Sequence, residues 1–85
     1  MRLVLIGHSY FNPMRIDRIR ADVETEAGMF TPIVKVYLQG KTFHFNGDDL
    51  GMRSYWYAEE LDARTRADTM LHKVLNAIHE ALEDT

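Results

Sequence analysis

Four histidines, two serines, two adjacent carboxylate pairs and a Tyr-Trp-Tyr run are the residues of this 85-residue chain whose types could do chemistry. His72 and His79 are seven apart on a helical pattern, so they point the same way but sit about 10 Å apart, too far for one zinc ion. His8 and His44 belong to separate strand-like segments, and the chain contains no cysteine to complete a ligand set. All four read as structural or surface histidines. Gly7-His8-Ser9 follows an apolar run, as a nucleophile turn would, but the second glycine is missing and no helix is expected next. Ser54 has no motif around it. The glycines at 7, 28, 40, 47 and 51 are isolated and build no phosphate cradle. Asp48-Asp49 and Glu59-Glu60 become acid–base pairs only in a pocket that raises a carboxyl pKa. In a turn or at a helix end such acids are hydrated. The expectation is a protein with no catalytic residue, no cofactor and no metal site.

The remaining feature is Ser54-Tyr55-Trp56-Tyr57-Ala58-Glu59-Glu60, which gathers three of the nine aromatic residues beside two carboxylates. Three consecutive side chains of a helix or strand cannot all face one core. At least one ring is therefore expected at the surface, where aromatics beside acids suit the grip on a partner. The expected arrangement packs Trp56 under a helix and leaves Tyr55 or Tyr57 with its hydroxyl in water. The partner-binding residues are expected to be Tyr55, Tyr57, Glu59 and Glu60, followed by Tyr37 and His44. A different reading rests on the basic strip Arg15, Arg18 and Arg20. Arg18 and Arg20 share a strand face, and Tyr37 and His44 offer stacking surfaces, as in small sheets that bind single-stranded nucleic acid. Asp17, Asp22 and Glu24 interrupt that strip.

These side chains need elements to hold them. Arg2 to Gly7 is apolar on both faces, which suits a strand covered on at least part of both sides, or a central one. Asn12-Pro13 marks a turn, and a tight turn is expected between Ile16 and Ile19. From Arg18 the sequence alternates, with Ile19, Ala21 and Val23 against Arg20, Asp22 and Glu24, until Glu26-Ala27-Gly28 ends the run. Pro32 limits where the next strand begins. Ile33–Leu38 and Lys41–Phe45 form a hairpin through Gln39-Gly40, with Val34, Val36 and Leu38 matching Phe43 and Phe45. Thr65-x-x-Asp68 resembles a capping box and predicts a helix over 65–83, with Ala67, Leu71, Val74, Ile78 and Leu82 as its apolar stripe, widened by Met70, Leu75 and Ala81. Segment 48–64 connects sheet to helix, and 53–62 is a shorter helix or an ordered loop. The predicted architecture is a single α+β domain: a four-stranded, mainly antiparallel sheet over 1–47 with the C-terminal helix on one face. The other face, carrying Lys35, Tyr37 and His44, is left partly bare.

Composition sets the limits. A chain of this length buries roughly 60–65% of its unfolded surface, enough for one core. The apolar run Leu3–Ile6 is too short for a membrane span or a signal-peptide core. Absence of cysteine fits a reducing, cytoplasmic setting. The net charge is −3, distributed as about +2 over residues 1–47 and −5 over 48–85. A chain with this balance lacks the basic field of a duplex-binding domain, and its acidic half suits a basic partner or a solvated helix face.

Four segments carry a resemblance: Met1-Arg2-Leu3-Val4, Phe11-Asn12-Pro13-Met14-Arg15-Ile16, Tyr55-Trp56-Tyr57 and Val74-Leu75-Asn76-Ala77-Ile78-His79-Glu80. Together with the strand–strand–hairpin–helix order, they resemble small phage-encoded anti-CRISPR proteins of the type I-F kind. The resemblance implies a phage origin, no catalysis, and inhibition by covering a surface of a crRNA-guided complex. No contact residue of that family is carried over. The reading taken into the structure is a small protein-binding or inhibitory module that acts by occlusion, as monomer or homodimer. Single-stranded nucleic-acid binding by the open sheet face is its alternative.

Overall fold

The computed structural model describes residues 2–83; Met1, in one of the four resembling segments, lies outside them. The chain opens with a hairpin of two short strands, β1 (Val4–Ile6) and β2 (Ser9–Phe11), paired antiparallel with Leu5 opposite Tyr10. Gly7-His8 is its two-residue turn. Gly7 has φ +64°, the left-handed value that the first position of a type II′ turn needs. Any side chain at Gly7 would also collide with the Phe45 ring, since a Cβ would lie 2.7 Å from it. Ser9 is thus a strand residue after a hairpin turn.

A single 3-10 turn, Pro13–Arg15, follows. The Asn12 side chain accepts the Met14 N–H at 3.0 Å. The main sheet consists of β3 (Ile16–Glu26), β4 (Met29–Leu38) and β5 (Lys41–Phe45) in the order β3-β4-β5, all antiparallel. Both connections are two-residue turns in which each residue has positive φ: Ala27 and Gly28, then Gln39 and Gly40. These are type I′ geometries, whose twist matches that of the strands they join. Ile16 and Ile19 lie in one strand, so the turn expected between them is a register shift at Ile16/Arg18 instead.

Pro32 stands inside the central strand, three residues after its start. The reason is local. The N–H of Phe30 points to the β5 side of β4, where it meets Tyr57; by the two-residue period, the nitrogen of Pro32 faces the same side. There β5 has already ended at Phe45, opposite Val34. The missing donor of Pro32 falls in a gap of the ladder, the position where proline is tolerated.

Helix α1 runs from Glu60 to Glu83, 24 residues and about 36 Å. It begins five residues before the expected start. Thr65 is an interior residue whose hydroxyl donates to the Leu61 carbonyl at 3.0 Å, so it caps nothing. Glu60 and Asp62 place negative charge in the first turn, where the helix dipole favours it. The buried stripe is Ala63, Ala67, Met70, Val74, Ile78 and Ala81. All but Ala63 belong to the expected stripe, but Leu71 is half-buried and Leu82 exposed, so its centre lies toward the Met70 and Ala81 edge.

The predicted four-stranded sheet is therefore two sheets. β1 pairs only with β2, a strand the sequence reading did not anticipate, and not with the main sheet. Phe11 meets Phe43 and Phe45 edge-on at centroid distances of 5.2 and 6.2 Å. The hairpin consequently shares the helix side of the main sheet. Val4, Ile6 and Phe11 join Val34, Val36, Phe45, Met70 and Val74 in one core, while Leu5 and Tyr10 face outward. Helix and hairpin cover one face of β3-β4-β5; among the described residues no helix or hairpin lies over the opposite face, where Ile33 alone of the outward β4 residues is buried, 2% exposed beneath its neighbours.

Candidate partner-binding face

The open face is built by strand alternation. Side chains that share it are Arg18, Arg20, Asp22, Glu24 and Glu26 from β3; Met29, Thr31, Ile33, Lys35 and Tyr37 from β4; and Thr42 and His44 from β5. Tyr37, His44 and Lys35 lie where the sequence placed them. Arg18 and Arg20 do too, and the Arg18 guanidinium sits 4.4 Å from the Tyr37 ring centroid, a cation–π distance. At the middle of the face Lys35 Nζ meets Asp22 Oδ2 at 2.8 Å. That hydrogen bond, reinforced by the Val23 N–H at 2.8 Å, holds the Asp22 carboxyl below its ordinary pKa. The same contact raises Lys35 above its own.

The charge on this face is sorted by position. One end holds Arg18 and Arg20; the other holds Glu24 and Glu26, with the Lys35–Asp22 pair between them.

The acidic end is completed by a segment from beyond the sheet. After β5, Asn46 and Asp49 exchange hydrogen bonds: the Asn46 N–H donates to Asp49 Oδ2 and the Asp49 N–H to Asn46 Oδ1, both at 2.9 Å. The Ser54 N–H donates to Asp48 Oδ1 at 3.1 Å. The acid pair Asp48-Asp49 is thus spent on folding the loop. Gly47 is required because a Cβ there would lie 2.3 Å from the Arg53 carbonyl oxygen. This fold-back returns the chain along β4, where Tyr57 and Phe30 exchange both backbone hydrogen bonds at 2.8 Å.

Because 55–57 is extended, its rings alternate. Tyr57 lies on the side of Phe30, toward the helix, and Tyr55 with it. Their rings meet at 6.3 Å, and Arg66 of the helix lies 5.7 Å from the Tyr55 centroid. The buried Nε of Arg66 has no hydrogen-bond partner. Trp56 projects to the open face and is 75% exposed. It flanks a shallow groove of about 780 Å³ with Glu24, Glu26, Thr31 and Ile33, and it also neighbours Met29. The expectation for Trp56 is thereby overturned: it does not pack under the helix and is the most exposed ring of the run. Tyr55, 44% exposed, stays at the surface as expected, and Tyr57 is half-buried.

Glu59 and Glu60 are exposed at the start of α1, Glu60 Oε2 lying 3.6 Å from Arg64 Nε. The six residues expected to bind a partner therefore fall into two groups. Tyr55, Tyr57, Glu59 and Glu60 surround the start of the helix. Tyr37 and His44 lie at the far end of the open face; Tyr37 is seven residues along β4 from Phe30, about 23 Å. The side chains that the sequence reading missed are Trp56, Met29, Glu24 and Glu26. Strict alternation through an extended 55–57 would have set Trp56 apart from its neighbours.

Among the described residues, no three His, Cys, Asp or Glu side chains converge as a metal cage requires, and no helix is long and apolar enough to cross a membrane. No protein-family model matches this chain, and neither a curated protein nor a solved structure gives a significant match to it.

Proposed function

We propose that this protein is a non-catalytic binding module that docks its open sheet face on another protein and acts by covering it. The observation that carries this reading is Trp56: a large ring three-quarters exposed, on a segment fastened to β4, beside Met29 and the acids Glu24 and Glu26. An exposed aromatic anchor flanked by charge is the composition of an interface hot spot, and the acids favour encounter with a basic partner. The test is affinity capture with the wild-type chain and with Trp56→Ala, followed by titration of the captured, purified protein. Loss of about thirtyfold or more in affinity is expected for the variant. Equal binding by both would place the contact elsewhere. The resemblance to type I-F anti-CRISPR proteins extends the proposal to a phage inhibitor of a crRNA-guided complex. A stoichiometric excess of this protein should then block target-DNA binding by such a complex, and undiminished DNA binding would end that extension.

The basic end of the same face favours a second reading, single-stranded nucleic-acid binding by Arg18, Arg20, Tyr37 and His44. Tyr37 and Arg18 form a ready stack, and base stacking on such a platform contributes about 1–3 kcal/mol per base. It ranks second because Asp22, Glu24 and Glu26 continue the same row. Oligonucleotide affinity falling steeply with salt supports it; no binding at low salt removes it.

A further inference from the structure

The order of charges along the open face has a symmetry property. On β3 the outward residues read Arg18, Arg20, Asp22, Glu24, Glu26, two positive followed by three negative. Ile33 lies opposite Asp22 at the centre of that row. A two-fold axis in the plane of the face, perpendicular to the strands and passing through Asp22 and Ile33, turns a second copy over and reverses its strand direction. Residues then meet their mirror positions in the row. Arg18 meets Glu26 of the second copy, and Arg20 meets Glu24. Tyr37, opposite Arg18, meets Met29, opposite Glu26. Trp56 follows from the ladder: Tyr57 pairs with Phe30, so Trp56 stands beside Thr31, as His44 stands beside Lys35. The same axis exchanges Thr31 with Lys35 and sets Trp56 of each copy on His44 of the other. The two Asp22 carboxylates approach the axis, each already paired with its own Lys35 at 2.8 Å.

We propose that the open face is self-complementary and joins two copies of this chain face to face and antiparallel. A two-fold interface must use one patch against itself, and this patch supplies opposite charge at both ends and an apolar or aromatic contact beside each. Two sheets can pack this way with their strands within about 30° of alignment. About ten residues of strand and three strand positions, the third shared by β5 and the 55–57 segment, give a footprint of roughly 500 Å² per copy. The total, about 1,000 Å², is that of a weak, transient interface, so the dimer dissociates at roughly tens of micromolar or above and weakens with salt. This goes beyond binding of a foreign partner: it adds a competitor for Trp56.

Sedimentation equilibrium of the full chain tests it. Dimerisation is expected at roughly tens of micromolar, as for a weak, transient interface. Arg18→Glu/Arg20→Glu and Glu24→Arg/Glu26→Arg should each be monomeric, because each sets like charges against each other. Mixed in equal amounts, they should form a heterodimer, because every opposed pair is then complementary. Trp56 is the sole tryptophan, so its emission in the wild-type chain should move to shorter wavelength over the concentration range in which the dimer forms. A wild type monomeric to about 0.5 mM at low salt, a dimer indifferent to either charge reversal, a mixture that does not pair, or a dimer with unchanged tryptophan emission each overturns the proposal. None of these results bears on capture of another protein through Trp56, which stands or falls by its own titration.

Discussion

At the residue scale, the open face separates what holds the fold from what the fold displays. Trp56 is 75% exposed while Met70 is fully buried. Trp56→Ala should therefore change stability in urea by no more than about 0.5 kcal/mol, whereas Met70→Ala should cost about 2–5 kcal/mol. A large loss from Trp56→Ala would mean that the ring supports the core after all. The Asp22–Lys35 pair predicts a pH signature. The carboxyl of Asp22 is held low in the folded state by the hydrogen bond from Lys35. Its contribution is present above the unfolded value near 4 and is lost as pH falls through the lower, folded value. Lys35 is shifted upward by the same bond, so its contribution persists below about pH 10 and disappears above it. Asp22→Asn should flatten the acid limb of a stability–pH curve measured by chemical denaturation, and Lys35→Met the alkaline limb. The positions of Tyr37, His44, Arg18 and Arg20 on one face were legible in the sequence because strand alternation is strict. Trp56 was not, because its placement depends on Tyr57 pairing with Phe30, a contact 27 residues distant with no local signal.

At the element scale, local chemistry was readable and long-range pairing was not. The Gln39-Gly40 hairpin and its matched apolar rows announce themselves, since turn geometry and register are decided within a few residues. The partner of β1 does not. An apolar Leu3–Ile6 run fits a central strand as well as a short hairpin, and only Gly7-His8 turning the chain back distinguishes them. The helix start at Glu60 was hidden by Thr65-x-x-Asp68, which looks like a cap yet lies inside the helix. A simple substitution separates the two geometries. As a cap, Thr65→Ala would cost about 1 kcal/mol. As an interior residue whose hydroxyl bonds back to Leu61, it should instead be neutral or gain up to about 0.5 kcal/mol in thermal unfolding. Glycine positions offer a second comparison. Gly7 and Gly40 both have positive φ, but a Cβ meets nothing within 4 Å at Gly40 and the Phe45 ring at Gly7. Gly40→Ala should cost about 1–2 kcal/mol from backbone strain alone, and Gly7→Ala measurably more. Equal losses would show that the hairpin shifts freely over Phe45.

At the scale of the whole molecule, the architecture is one covered sheet with its charges in order. The helix and the β1-β2 hairpin supply the apolar layer for one face. The other face is left to charged residues that keep a long strand soluble while presenting a pattern a partner can read. Two surfaces are thereby divided: a core of close-packed aliphatics and phenylalanines that fixes shape, and a face whose register fixes where Trp56, Glu24, Arg20 and Tyr37 stand relative to one another. The gap at Pro32 bears on how firmly Trp56 is held. With no amide hydrogen there, β4 requires no partner between Phe45 and Tyr57, and the segment bearing the indole is held by the Phe30–Tyr57 backbone exchange on one side and the Ser54–Asp48 bond on the other. Its release breaks the two backbone hydrogen bonds of that exchange, so it can open while the rest stays folded. In deuterium exchange, the amides of Phe30 and Tyr57 should open well before those of Val34 and Val36. The arm that offers the indole would then be a hinged latch on an otherwise rigid plate.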